Sequence, residues 1–412
     1  MATPRVEEVE TAPRDRSAVL GQWNGAVSSY YLLLGATVLL VVIGLVMVLS
    51  SSSVTSLSGG NSPYAVFLNQ AQFAIIGLPL AWLASRLPVR FYQRVAWPAL
   101  GVALVLQALV FTGLGREQGG NRNWLYLPGG QTMQPSELAK LAVAVWLALV
   151  LARKRALLHR WLHVLIPGVL GAAAVLGLVL LGKDLGTAMI MMMLVAGALF
   201  VAGVPLRMFA VAGGLVVLLV IQMAQDGSSR TRRIEAFFSA DCDAQNECYQ
   251  TTRGLYGLAS GGLTGVGLGE STEKWSYLPE AHNDFIFAIV GEELGLLGTV
   301  LVVALFGVLA VGMTRVIRRH TDPFVQIATG AIATWVLGQA IVNIAVVIGL
   351  LPVIGVPLPL VSAGGSALVT TMLAIGVVLS FARAEPGAAE ALAARPGVVR
   401  RSLAVLSRGS RG

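Results

Sequence analysis

An aspartate at the head of a long apolar run is the residue best placed for proton chemistry in this sequence. Asp284 lies within Lys274-Trp-Ser-Tyr-Leu-Pro-Glu-Ala-His-Asn-Asp-Phe-Ile-Phe-Ala-Ile-Val-Gly-Glu-Glu-Leu-Gly295, where polar and aromatic residues pass directly into apolar ones. A carboxylate in that setting suits general-base work. An isolated Asp at a helix start reads as an N-cap, which satisfies free backbone N–H groups. Here Lys274, Glu280 and His282 precede it and Glu292 and Glu293 follow, which is more charge than a cap requires. In a straight helix the two glutamates stand about 12–14 Å further along. Carboxylates at that depth in an apolar medium need partners, a wet cavity or a function.

Three other polar patches share this character. Gly119-Gly-Asn-Arg-Asn-Trp124 precedes Gln134-Pro-Ser-Glu-Leu-Ala-Lys140. Pro135 suits the first turn of a helix, with Gln134 or Ser136 as its cap. Glu137 and Lys140 are spaced to pair with each other, a structural role that competes with a functional one. Gly182-Lys-Asp-Leu-Gly-Thr187 sets a cation beside an anion in a tight turn. Leu351-Pro-Val-Ile-Gly-Val-Pro-Leu-Pro-Leu-Val-Ser-Ala-Gly-Gly-Ser366 has three prolines and three glycines. Irregular backbone of that kind at membrane depth must be buried in protein or line a cavity.

The elements that position these residues are membrane spans. Hydrophobic residues make up 56% of the 412 and charged residues 12%, about half the charge of a soluble domain. Ten apolar stretches, at roughly 31–50, 65–86, 95–114, 136–152, 162–181, 186–203, 206–223, 284–314, 324–350 and 365–383, approach or exceed the ~20 residues a span needs. The expected fold is therefore an all-α polytopic integral membrane protein with about ten transmembrane helices. Most of the 29 Lys and Arg residues fall on one set of loops and in the tail after Arg383. The positive-inside bias then places both termini in the cytoplasm. Residues 1–28 read as a disordered cytoplasmic tail, 29–384 as the transmembrane domain and 385–412 as a basic cytoplasmic tail. A large extracytoplasmic loop, about 224–283, joins the seventh and eighth spans. Its Arg230, Arg232, Arg233, Arg253 and Lys274 run against the usual bias and suit an anionic ligand, although long loops cross regardless of charge. The net charge of +8 is spread over short loops, which fits orientation rather than nucleic acid. Cys242 and Cys248 share the outer loop, where an oxidising compartment permits a disulfide.

The run Gly254–Gly269 is dense in glycine. A nucleotide-binding loop would need a preceding strand and a βαβ unit, and GxxxxGK[ST] is absent from the sequence. Close backbone packing explains the glycines better. Gly291 and Gly295, spaced GxxxG, suit tight helix contact and would aim Glu292 and Glu293 at protein.

Taken together, Gln134–Lys140, Asp184-Leu-Gly-Thr-Ala188, Tyr277–Ala288 with Gly291–Gly295, and Gly349–Ser366 resemble the SEDS family (shape, elongation, division and sporulation), most closely its cell-division branch. The resemblance implies a peptidoglycan glycosyltransferase that polymerises lipid II at the outer face of the bacterial plasma membrane, at the division septum. It implies a class B penicillin-binding protein, an FtsI-like transpeptidase, as partner, with other divisome membrane proteins and no nucleic acid. The family's catalytic aspartate falls on Asp284, its lysine after Gln-Pro-Ser-Glu on Lys140 and the arginine of its Arg-x-Trp on Arg122. The sequence departs from the family pattern at Asn123, Gly182-Lys183, Asn283 and Ala363.

The expected chemistry is attack of an acceptor sugar hydroxyl, deprotonated by Asp284, on the donor's anomeric carbon, with undecaprenyl pyrophosphate leaving. The expected substrate-binding residues are Arg122, Lys140, Lys183, Asp184, Lys274, Glu280, His282, Ser362 and Ser366. Cations among them offset charge on the pyrophosphate; a divalent cation, Mg or Mn, is the alternative. Three other readings stay open, one of them a scaffold that only recruits the penicillin-binding protein. A lipid II flippase would use polar groups inside the bundle equally well, but needs them on both sides of the midplane. A RodA-like elongation polymerase shares the motifs.

Overall fold

A computed structural model describes residues 27–118, 120–126, 131–210 and 248–388, with isolated positions at 25, 213–214, 237 and 392. The elements in chain order are α1 Ser28–Ser58, α2 Ala65–Arg86, α3 Val89–Leu109, β1 Gly115–Gln118, β2 Asn121–Tyr126, β3 Thr132–Met133, α4 Pro135–Arg153, α5 Trp161–Leu181, α6 Leu185–Ala202, α7 Tyr249–Ser260, α8 Ile286–Arg319, α9 Pro323–Val347 and α10 Gly365–Arg383. Among the described residues, eight helices are long and apolar enough to cross a membrane. They match eight of the expected stretches. The molecule is a polytopic membrane protein of helical architecture.

Several boundaries moved for identifiable reasons. Helix α1 runs eight residues past the expected end, through the serine run 50–58. Ser51 Oγ and Ser52 Oγ donate to Met47 O and Val48 O at 2.7 and 2.6 Å, so the hydroxyls are satisfied within the helix. Helix α3 starts after Pro88 and ends at Leu109, earlier than the expected 95–114. Arg90, Gln93 and Arg94 dilute its first turns, and it is not among the eight apolar helices. The residues after it form a three-stranded antiparallel sheet in the order β1-β2-β3, the one departure from all-α structure among the described residues. Of the expected seventh span, 206–210 and 213–214 are helical; the rest, and most of the 224–247 stretch, lie outside the described residues. So do the expected tails apart from a few positions at their inner ends.

Helix α4 is the buried centre: every residue from Leu141 to Leu151 is apolar and buried. It packs against α3, α6 and α9, while α2 pairs with α10 and α1 with α8. Helix α5 bends at Ile166, with φ −108° and ψ 124°, because the residue before a proline is pushed out of the helical region. Lys154 Nζ donates to the Ile166 carbonyl at 2.6 Å.

Helix α8 is broken at Gly295, with φ 67° and ψ −163°. A break inside a span frees backbone groups that lipid cannot satisfy. The glycine-dense run supplies the partners. Val266 N and Gly267 N donate to Glu292 O and Glu293 O at 2.9 and 3.1 Å, and Leu296 N and Leu297 N donate to Gly262 O and Leu263 O at 2.9 and 3.2 Å. A Cβ at Gly265 would lie 2.1 Å from Glu293 O, and one at Gly261 1.9 Å from Gly291 O. Close backbone packing is the role these glycines fill.

The N-termini of α4, α6, α8 and α10 gather at one end of the bundle with Asp284. The C-terminus of α8, the N-terminus of α9 and the C-terminus of α10 form the opposite end, where Arg319 lies 3.6 Å from Glu385 and His320 Nε2 is 3.0 Å from Phe381 O.

Candidate active site

Asp284 is 8% exposed and stands just before the first turn of α8. The N-cap position belongs to Phe285, one residue further on. The backbone of residues 282–284 is held at three successive carbonyls. Asn343 Nδ2, from α9, donates to Asp284 O at 2.7 Å and to Val356 O at 2.8 Å. Ser362 Oγ donates to Asn283 O at 2.6 Å while accepting from Leu358 N at 2.7 Å. Ala363 N donates to His282 O at 2.9 Å. Gln70 of α2 then fixes the 362–364 turn, donating to Ser362 O and accepting from Gly364 N, both at 3.0 Å. The proline-glycine stretch 351–366 is thus a rigid wall laid against the aspartate. Gly355, at φ 73°, faces the carboxylate: a Cβ there would be 4.0 Å from Asp284 Oδ2.

The other face of Gly355 lines a cavity of about 10 Å³ with Glu137, Lys140, Thr187, Ile190, Gln339, Val356 and Pro357, at the lower limit for one water. Lys140 Nζ lies 2.9 Å from Glu137 Oε1, donates to Gln339 Oε1 at 3.1 Å and sits 4.8 Å from the Trp335 ring centroid. It is 1% exposed. A cation removed from water this completely needs all of these partners. Gln339 Nε2 donates to Pro357 O at 2.8 Å, which ties the pair to the wall.

The turn before α6 closes the site on its third side. Asp184 Oδ1 accepts from Thr187 N at 3.0 Å as the N-cap of α6. Its Oδ2 accepts from Asn123 Nδ2 at 2.8 Å and Gln134 Nε2 at 2.9 Å. The departure at Asn123 therefore serves a specific bond. Gln134 occupies the N-cap of α4 but its side chain serves Asp184, so neither Gln134 nor Ser136 caps α4. A Cβ at Gly186 would meet Ile354 O and Val356 Cγ2, both at 3.1 Å, which places this turn against the wall. Lys183 is exposed, with φ 61°. Arg122 is also exposed; its guanidinium donates to Val110 O and Thr112 O at 3.1 and 2.9 Å, covering carbonyls at the end of α3. Gly182 O accepts from Arg122 N at 2.9 Å, so the backbone segments that carry the two exposed cations are neighbours. Ser366 Oγ accepts from Gln134 N at 3.4 Å.

Lys274, expected among the substrate contacts, is 4% exposed and closed into a pair with Glu293 at 3.2 Å. Glu293 also accepts from Ser50 Oγ at 2.6 Å. Glu292 accepts from Ser271 Oγ at 2.5 Å and Thr272 N at 2.8 Å. Burial raises the Glu273 carboxyl, with Glu292 adding to it, and outweighs Arg253, 3.5 Å away and half-exposed. Glu280 is exposed and accepts from Asn283 Nδ2. His282 binds a proton less readily than usual because it is buried, although nearby Glu280 works the other way. Cys248 is disulfide-bonded; Cys242 lies outside the described residues.

The sequence reading missed Gln70, Asn343, Gln339 and Trp335. The first three had a usable signal: each is an amide side chain inside an otherwise apolar span, where polar groups mark contacts or function.

The assembly is a multi-pass membrane protein with a buried carboxylate, exposed cations and four helix N-termini at one end, and helix N-termini favour anions. The chain belongs to the SEDS family: the FtsW/RodA/SpoVE model, described as cell cycle protein, matches residues 30–386. The probable peptidoglycan glycosyltransferase FtsW of Mycobacterium tuberculosis is 41% identical over 384 residues, covering 93% of this chain and 72% of the relative. That of Coxiella burnetii is 37% identical, covering 84% and 94%. A chain of a peptidoglycan synthase complex, solved for its structural coordination of polymerization and crosslinking, superposes with a TM-score of 0.70 at 27% identity, covering 85% of this chain and 97% of that one. The rod shape determining protein RodA of Thermus thermophilus gives 0.64 at 28% identity, covering 86% and 97%.

Proposed function

We propose that this chain is a peptidoglycan glycosyltransferase that joins lipid II into glycan strands at the outer face of the bacterial plasma membrane, serving septal wall synthesis. Asp284 takes the proton of the acceptor GlcNAc 4-hydroxyl. That oxygen bonds to the anomeric carbon of the donor MurNAc as the bond to the pyrophosphate oxygen breaks, and undecaprenyl pyrophosphate leaves. The observation that carries this reading is Asp284 itself, largely buried and fixed by Asn343, Ser362 and Ala363 at the end where the helix N-termini meet. Lys183 and Arg122, the cations left exposed there, offset charge on the leaving group. Among the described residues no set of three or more His, Cys, Asp or Glu converges to hold a metal. A divalent cation, Mg or Mn, would be held mainly by pyrophosphate oxygens, a common arrangement for Mg. It would neutralise charge on those oxygens. The partner is a class B penicillin-binding protein, which supplies crosslinking, within a set of divisome membrane proteins.

The test is polymerisation of labelled lipid II by the purified complex carrying Asp284→Asn. The expected result is a rate lower by ~10²–10⁴-fold, the usual contribution of a general base. Full activity in that variant removes Asp284 as the base.

A further inference from the structure

The head of α8 is a half-helix, Ile286 to Leu294, set off by the break at Gly295. Asp284 stands two residues before it. Backbone bonds to the 262–267 run hold the break, but glycine there leaves the backbone free to turn. A second set of contacts removes that freedom. Glu293 lies between Lys274 Nζ at 3.2 Å and Ser50 Oγ at 2.6 Å. Lys274 Nζ also donates to Gly269 O at 2.5 Å. The half-helix is thereby pinned to α1 and to the loop that leads into Asp284. Neither charge is needed to keep an apolar helix in a membrane, since a buried pair is often no more stabilising than apolar residues of similar volume. What the pair adds is a fixed geometry.

We propose that Ser50, Lys274 and Glu293 form a strut that positions Asp284 for the transfer step. They are positioning residues: the strut acts through the half-helix, and none of the three reaches the reacting atoms. The inference rests on the polymerase reading above.

The test compares Glu293→Gln, Lys274→Met, Lys274→Arg and Ser50→Ala in the purified complex with its partner. Polymerisation rates are measured against lipid II concentration, alongside hydrogen exchange of the 276–286 segment. A misplacement of 1 Å costs about 10²-fold in rate, so Glu293→Gln and Lys274→Met lower kcat by about 10- to 100-fold while KM stays within about twofold. Lys274→Arg restores most of the rate. Ser50→Ala keeps the ion pair and loses the hydrogen bonds of Ser50 Oγ to Glu293 Oε1 and from Lys274 Nζ, which lowers kcat about three- to tenfold. Exchange at 276–286 rises in the same order. Full kcat with unchanged exchange in folded Glu293→Gln or Ser50→Ala overturns the strut. Should the charge variants fail to fold, Ser50→Ala decides alone. A wild-type complex that makes no glycan, while exchange still responds to the variants, overturns the polymerase reading and leaves the strut with no transfer step to serve.

Discussion

At the scale of single residues, burial decides which charged groups are available. Lys140 and Lys274 carry the same charge as Lys183, yet both are sealed by a glutamate at 2.9 and 3.2 Å. Spacing gave a signal for the Glu137–Lys140 pair alone, and none for the Lys274–Glu293 pair or for which cation stays exposed. His282 yields a prediction about pH. Burial holds its pKa below the ordinary value in the folded protein. The unfolded chain therefore binds more protons between that lowered value and the unfolded one, about 6.5. The neutral imidazole's contribution to stability is complete above about pH 6.5 and is lost as pH falls through the folded value. Thermal melting of the purified protein should show lower stability on acidification from pH 7 to pH 5. His282→Gln, which cannot titrate, should flatten that dependence.

At the scale of elements, the site is a joint between four helix ends and one irregular wall. The wall contains no regular hydrogen-bond ladder, so single side chains hold it. Asn343 alone satisfies two carbonyls, those of Asp284 and Val356. Replacing it with Leu keeps the volume and leaves both acceptors without that donor. Each buried carbonyl so stranded costs about 1–3 kcal/mol. Asn343→Leu should lower the melting temperature by several degrees and reduce polymerisation more than binding of lipid II. A variant with wild-type melting and kcat would show that the wall is held by other means. The amide inside α9 was readable in the sequence as an anomaly, but its two partners were not. They lie 59 and 13 residues away, and no local rule links them.

At the scale of the whole molecule, the distribution of polarity among the described residues favours an enzyme over a transporter. Among the described residues, the buried ionic groups Glu137, Lys140, Asp184, Glu273, Lys274, Asp284, Glu292 and Glu293 lie toward the Asp284 end, and the Arg319–Glu385 pair lies at the other. Between them the central helix α4 is apolar and buried from Leu141 to Leu151. A pyrophosphate head moving along α4 would meet no polar group on it over that length, a costly passage for a charged species. In proteoliposomes, the chain should therefore move labelled lipid II across the bilayer no faster than protein-free vesicles do. Transbilayer movement that depends on the protein and is blocked by Asp284→Asn would favour the flippase instead.

The sequence by itself determined the helical membrane architecture, eight of the spans and the four motifs that carry family membership. Those features depend on run length, residue type and near-neighbour spacing, which are local properties. Only the tertiary structure decided that α8 breaks at Gly295 and that the glycine-dense run supplies the missing hydrogen bonds. It also decided that Ser50 meets Glu293 across 243 residues, and which cations stay exposed. The physical reason is the same in each case. A buried polar group takes whatever partner the packing of distant segments brings to it, and that choice is made in space rather than along the chain.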